Sequence, residues 1–131
     1  MEIKEHLDLV QYEIPRLVDS ISNKFGVKIR NKSISVLCLT TLFKDLLFTM
    51  KALQSASEYL PDGKFNELFD KALRAIYSDH TTILLAVNGI DVNIKNVNDD
   101  LKKERIPEYM QYLNIEHFLY EEFYTLLKLL D

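Results

Sequence analysis

The stretch that decides the fold is KSISVLCLTTLFKDLLFTMKALQSASEYL, residues 32–60, the longest apolar and most helix-favouring passage of the chain. An α-helix of this length would extend about 43 Å, enough to span a domain of this size. Its main apolar stripe repeats at helical spacing and comprises Leu39, Leu42, Leu46, Met50, Leu53 and Leu60. Further apolar residues widen the stripe over most of the circumference, which predicts a central helix covered by other helices on several sides.

Helices are also predicted on both sides of this stretch. The preceding segment, residues 2–25, repeats apolar residues at separations of four and three, as one face of a helix does. Pro15 lies inside that segment and removes an amide from the helical ladder, so a kink or a brief break is expected there. Gly26 then suits the left-handed cap that often ends a helix. After the tight turn 61–63, residues 64–88 show the same apolar spacing.

The last helical region is predicted to be broken. Residues 90–97 alternate apolar and polar side chains, which indicates an extended connector on the bundle or, alternatively, a strand that pairs with a second copy. Division at Pro107 and Asn114 then gives helical pieces over 99–105, 107–113 and 115–130. The chain is predicted to be a single domain, residues 1–131. Its fold class is all-α, a four-helix bundle of up-down-up-down order with a kinked first and a broken last helix.

Composition and charge restrict the classes of function. A net charge of -4 argues against general nucleic-acid binding, which depends on cations that neutralise phosphates. The only cysteine, Cys38, lies among apolar residues and is expected to be a small buried side chain. The N-terminal residues do not resemble a signal peptide, and Lys44 and Asp45 interrupt the apolar run of residues 34–43 before it could cross a bilayer. A soluble, cytoplasmic protein without a transmembrane segment is therefore expected.

No residue pattern indicates an enzyme. His80 occupies a helical position otherwise filled by apolar residues, and a partly buried histidine bonded to a backbone or side-chain group is favoured over a ligand or general base. The Glu-x-x-His pairs of dinuclear carboxylate sites do not occur in the sequence, and no glycine-rich phosphate loop is present. We therefore predict no catalytic residue, no metal and no cofactor.

Arg74 and His80, in the segment RAIYSDH, resemble the Arg-x5-His motif of HEPN-type ribonucleases. The resemblance implies RNA cleavage in a site that dimerisation completes. Ala75 departs from the polar residue normally found directly after the arginine. On a continuous helix, six positions place the two side chains about 240° apart. A HEPN-like ribonuclease toxin is the first alternative function.

Two groups of residues are predicted to mediate interactions. Aromatic residues are concentrated near the C-terminus, in excess of what one narrow helix face can bury, and aromatics are enriched in protein interfaces. Alternatively, breaks in the last helix let its pieces wrap around the bundle, so that the aromatic residues on both of its faces are buried. Cations surround the first loop and could pair with acids of the third loop or with another copy, although such charges usually face solvent. The predicted interaction residues are Tyr109, Tyr112, Tyr120, Tyr124, Lys28, Arg30 and Lys32.

The short, acidic, all-helical chain, rich in Ile, Leu, Asn, Lys and Tyr, resembles small virion proteins of hyperthermophilic archaeal viruses, in particular the coat component of a two-tailed virus. That resemblance implies a structural role in the virion. The residues separately favour a non-enzymatic protein that associates with copies of itself, as a homo-oligomer, or with other structural proteins. A helix- or peptide-binding adaptor is the second alternative. Function is expected on the last helix and the charged loops, with the long helix as an inert support.

Overall fold

The computed structural model describes residues 8–90 and 106–128, and the statements below refer to that part of the chain. It contains four α-helices: α1 Ile14–Phe25, α2 Lys32–Ala56, α3 Lys64–Val87 and α4 Ile106–Lys128. A π-helical turn, Leu9–Glu13, precedes α1, and a 3-10 turn, Ser57–Tyr59, follows α2. The predicted all-α bundle is confirmed.

The irregularity expected near Pro15 takes the form of a change in helix type. The chain is π-helical over Leu9–Glu13 and becomes α-helical at Ile14, so that Pro15 stands in the first turn of α1. Proline is tolerated there because the first amides of a helix have no intrahelical acceptor. At the other end, Gly26 adopts the predicted left-handed conformation (φ 66°) and donates its N–H to the Ser22 carbonyl.

The long helix α2 ends four residues before its predicted end at Leu60. Its N-terminus is capped by Asn31, whose side-chain oxygen accepts from the Ile34 amide at 3.1 Å. Its α-helical geometry stops at Ala56, and Leu60 is extended, with φ -100° and ψ 142°. Leu60 precedes Pro61, and the residue before a proline is disfavoured in the α region, which accounts for the earlier end.

The predicted break at Asn114 is wrong, because α4 is continuous from Ile106 to Lys128. Asn114 faces solvent, where asparagine costs a helix less than about 1 kcal/mol relative to alanine. The neighbouring Ile115 and Leu119 are fully buried and hold this part of the helix against the bundle.

Two predicted segments lie largely outside the described residues. The piece 99–105 falls outside them entirely. Of the connector 90–97, only Ile90 is described, and its side chain is half-buried against the core.

Two pairs of neighbouring helices are antiparallel, as the residues in contact between them show. In α2 and α3, Ser35 bonds to Asn88 near one end and Asp45 contacts His80 further along. The contacts between α3 and α4 likewise run in opposite chain directions, since Tyr112 lies beside Thr82 and Tyr120 beside Tyr77. These contacts agree with the up-down-up-down order, whose exact form stays a prediction.

All four helices contribute to a single core. The Phe43 ring of α2 packs against the Phe123 ring of α4 with centroids 6.2 Å apart, and Phe25 of α1 meets Phe118 of α4 edge-on at 5.5 Å. Each such side chain stabilises the fold by roughly 1.5–3 kcal/mol when it is removed from water. The largest fully buried side chains are Phe43, Phe123, Ile14, Ile21, Leu39, Leu42, Leu46, Leu84, Ile115, Leu119 and Val18.

Only one side of α2 belongs to this core. The buried residues include Leu39, Leu42 and Phe43, whereas Leu37 is 64% exposed and Phe48 is 76% exposed. Helices α1, α3 and α4 all pack against α2, as predicted, but they leave one side of it exposed. A side of this helix that carries Leu37 and Phe48 among polar residues remains on the surface.

This one-sided burial predicts opposite outcomes for two phenylalanines of α2. Phe43→Ala should lower the free energy of unfolding by about 3–5 kcal/mol, because it opens a cavity against Phe123. Phe48→Ala, the matched control, should change it by less than about 0.5 kcal/mol. Urea denaturation of dilute protein measures both values. Similar losses for the two variants would contradict one-sided burial.

Candidate self-association surface

The exposed side of α2 carries residues at alternating spacings of three and four, which places them along one line of the helix. We call these residues the α2 face: Ile34, Leu37, Thr41, Lys44, Phe48, Lys51, Ser55 and Glu58. Each of them is exposed. Single exposed apolar side chains are ordinary, but here Leu37 and Phe48 share one helix face, with Thr41 and Lys44 between them. Tyr59, 82% exposed, continues the apolar surface past the end of the helix.

Charges on this side of α2 lie near its middle, at Lys51 and around its two ends. Lys44 and Asp45 lie at the midpoint, where Asp45 also reaches His80 Nε2 at 3.2 Å. The loop before the helix is basic, whereas Glu58 and Asp62 lie exposed after its last turns. The α2 face itself therefore carries Lys44, Lys51 and Glu58, while the basic loop lies before its first residue.

The cations predicted to mediate interactions lie in the loop before α2 and at its first residue, and two of them have contacts within the chain. Lys32 pairs with Asp19 at 2.9 Å, and the Arg30 guanidinium lies against Gly89, where an added Cβ would be 3.0 Å from Arg30 Nη1. Lys28 is exposed. All three remain accessible beside the start of α2, so they stay candidates for an interface.

The tyrosines predicted to mediate interactions do not form a common surface. Tyr112 is only 4% exposed, and its hydroxyl donates to the Ser78 carbonyl at 3.1 Å, so the prediction that it contacts a partner is wrong. Tyr120 and Tyr124 are exposed and stack with ring centroids 6.3 Å apart. Tyr109 lies in α4, and its side chain is outside the described part of the structure.

A groove of about 390 Å³ runs between α3 and α4 beside Tyr120. Its lining includes the acids Asp70 and Glu116, the cation Arg74 and the imidazole of His117. Among the described residues, no group of three or more His, Cys, Asp or Glu side chains is arranged to hold a metal ion. The lining therefore does not specify the chemistry of a ligand.

The structure separates the two residues of the ribonuclease-like motif. Arg74 lines the groove facing α4, whereas His80 turns toward α2, where its Nε2 meets Asp45 and its Nδ1 lies 2.8 Å from the Ile76 carbonyl. His80 is thus a partly buried histidine that contacts a backbone carbonyl and a side chain, as predicted. Cys38 is buried as predicted, and burial raises the pKa of its thiol to about 11. A thiol in that environment is a poor nucleophile at neutral pH.

Asn88, the residue that follows α3, positions the start of α2. It is almost fully buried, and its side-chain oxygen accepts from the backbone amides of Arg30 and Asn31 at 2.8 and 3.1 Å. Its amide nitrogen donates to Ser35 Oγ at 2.9 Å and to the Leu84 carbonyl at 2.8 Å. Every hydrogen-bonding position of the side chain is used, so Asn88 fixes the basic loop and the first turn of α2 on the end of α3.

One finding bears on the expectation that the chain has no transmembrane segment. The continuous helical stretch Lys32–Tyr59 is long and apolar enough to cross a membrane by length and composition, with a mean hydropathy of 1.5 over an 18-residue window of which 39% is buried. Core helices of soluble proteins pass the same test. Lys44 and Asp45 lie midway, where each charge would cost about 2.5–3.5 kcal/mol at the centre of a bilayer.

Comparison with protein-family models, curated proteins and solved structures gives no match to this chain. Inference about its function therefore rests on the surfaces described above.

The Asn88 network predicts a large cost for removing one buried amide. Asn88→Ala should lower the free energy of unfolding by about 2–4 kcal/mol, because the Arg30 and Asn31 amides lose their acceptor. Asn66→Ala on the exposed side of α3 is the control and should change it by less than about 0.5 kcal/mol. Thermal or urea denaturation compares the two, and equal effects would show that the network does not hold the loop.

Proposed function

We propose that this protein is a non-enzymatic structural module that associates with copies of itself through the α2 face. The observation that carries the proposal is the exposure of Leu37 and Phe48 on the longest helix of the bundle. Covering such side chains removes apolar area from water, which is the main favourable term in protein association. The α2 face replaces the last helix as the proposed interface.

The tyrosines of α4 are the less favoured surface for association. Tyr120 is in ring contact with both Tyr124 and Tyr77, so part of its aromatic surface is already covered within the chain. By contrast, Phe48 is more exposed than either Tyr120 or Tyr124. We therefore assign the main contact to α2, and the experiment below compares the two surfaces.

The charges along α2 favour a protein partner over a lipid surface. Helices that lie on membranes keep their charges at the rims of the apolar face. Here Lys44 and Lys51 lie on the face itself, on either side of Phe48, where a second protein surface could pair them and lipid tails could not.

A virion coat is one setting for such a module, and it is proposed only through the resemblance to small archaeal virion proteins. The ribonuclease alternative is weakened because Arg74 and His80 turn toward different helices. An adaptor that captures a helix of another protein would use the same α2 face. It would differ in leaving the isolated chain monomeric.

The test is the mass of the protein in solution from low to high micromolar concentration, by sedimentation equilibrium or light scattering. The natural chain should associate, and Leu37→Ser with Phe48→Ser should raise the dissociation constant roughly 100-fold, since about 3 kcal/mol of apolar burial is lost. Both side chains are exposed, so folding should be preserved. Tyr120→Ala with Tyr124→Ala is the matched control and should associate like the natural chain.

Two results would contradict the proposal. A natural chain that stays monomeric at high micromolar concentration would remove self-association. Loss of association in the tyrosine variant, with the α2 variant unaffected, would place the interface on α4.

A further inference from the structure

We infer that the contact between His80 of α3 and Asp45 of α2 is a proton-dependent link between the two helices. The link is complete when the imidazole carries two protons and opens at Asp45 when the imidazole is neutral. The inference is carried by what the two ring nitrogens face, since each lies beside an oxygen that only accepts hydrogen bonds. It concerns the contact between two helices of one chain and does not depend on self-association.

The surroundings of the His80 ring require two donors. Its Nδ1 lies 2.8 Å from the carbonyl oxygen of Ile76, one turn earlier in α3, and its Nε2 lies 3.2 Å from a carboxylate oxygen of Asp45. Carbonyl and carboxylate oxygens accept hydrogen bonds and donate none, so each nitrogen bonds only if it carries a proton. Neutral imidazole has one N–H and imidazolium has two. Both contacts are therefore hydrogen bonds only in the protonated ring.

The two acceptors differ in how freely they move. The Ile76 carbonyl is fixed in the backbone of α3, and the His80 side chain is only 11% exposed, which holds the ring in place. The Asp45 side chain is 50% exposed and is free to turn toward water. A neutral ring therefore keeps its proton on Nδ1 and presents the lone pair of Nε2 to a carboxylate. That contact is unfavourable, so the link to α2 opens at Asp45.

Other ionisable groups near His80 in the described part of the chain do not replace Asp45. The Cys38 thiol of α2 donates to the backbone carbonyl of His80 at 3.4 Å, away from the ring nitrogens. Burial raises the pKa of that thiol to about 11, so it stays neutral near pH 7. Lys44 lies about 100° around α2 from Asp45, and Asp79 is exposed on α3. Protonation of the ring therefore acts on α2 through Asp45.

Stability should fall as the pH rises through the range in which histidine titrates. The protonated ring makes one more hydrogen bond in the folded chain than the neutral ring, so folding favours the protonated form. This contribution is present at acid pH and is lost above about pH 6.5, where histidine ordinarily loses its proton. Because solvent weakens a half-exposed pair, the unfolding equilibrium constant should rise only about fivefold from this cause between about pH 5.5 and 8.5.

Two variants and a control isolate this contribution. His80→Gln removes the titrating ring, and Asp45→Asn supplies an amide N–H that bonds to the bare Nε2. Both variants should lose the fivefold response to pH. His117→Gln is the matched control and should keep the response, because His117 contacts Glu121 at 3.0 Å on the exposed surface of a single helix. Urea denaturation of dilute protein at the two pH values compares these variants with the natural chain.

Nitrogen-15 chemical shifts of the His80 ring in the natural chain provide a second measurement, which needs no variant. Ring nitrogens with and without a proton have well-separated shifts. Both nitrogens should be protonated at the lower pH, and only Nδ1 at the higher pH. A neutral ring with its proton on Nε2 would overturn the inference, because the contact with Asp45 would then survive the loss of a proton.

The unfolding measurements have their own contradicting results. Equal responses to pH in the natural chain, His80→Gln and Asp45→Asn would overturn the inference. Loss of the response in His117→Gln would also overturn it, since the response would then arise on α4. Because all chains are compared at the same low concentration, the proposed self-association can fail its own test without affecting this one.

Discussion

The burial of one side of α2 is the interaction on which the rest of the bundle depends. Leu39, Leu42 and Leu46 are completely removed from water, and α1, α3 and α4 each contribute buried side chains to the same core. Phe43 links α2 to α4 across that core through Phe123. The apolar faces of α1, α3 and α4 are thus buried in the core that α2 forms with them, and the opposite side of α2 remains exposed.

Polar interactions determine how the helices are aligned once the apolar side chains are buried. Apolar contacts are not directional and tolerate small shifts, whereas hydrogen bonds do not. Asn88 supplies the directional element at one end of the bundle, since it binds the loop before α2 and a serine in its first turn. At the middle of α2, His80 joins Asp45. These contacts hold α2 in the orientation that leaves Leu37 and Phe48 facing outward.

Much of the fold could be predicted from the sequence, because helical spacing and helix-ending residues act locally. Gly26 and Pro15 produced the local features expected of them, and the four helices lie near their predicted positions. The predicted break at Asn114 was wrong because residues that often cap helices also occur inside helices that tertiary contacts stabilise. The candidate site could not be predicted, because α2 is apolar over most of its circumference and periodicity does not show which side is covered. Likewise, nothing local distinguishes Tyr112, which is buried, from Tyr120, which is not.

The assignment of the outer side of α2 to a second copy is tested most directly by isotope-filtered nuclear Overhauser spectroscopy on an equal mixture of labelled and unlabelled chains. In that experiment, signals arise only between protons of different copies. We expect contacts from the Phe48 ring protons to side-chain protons of another copy. If Phe48 shows only contacts within its own chain at concentrations where the protein is associated, the α2 face is not the interface.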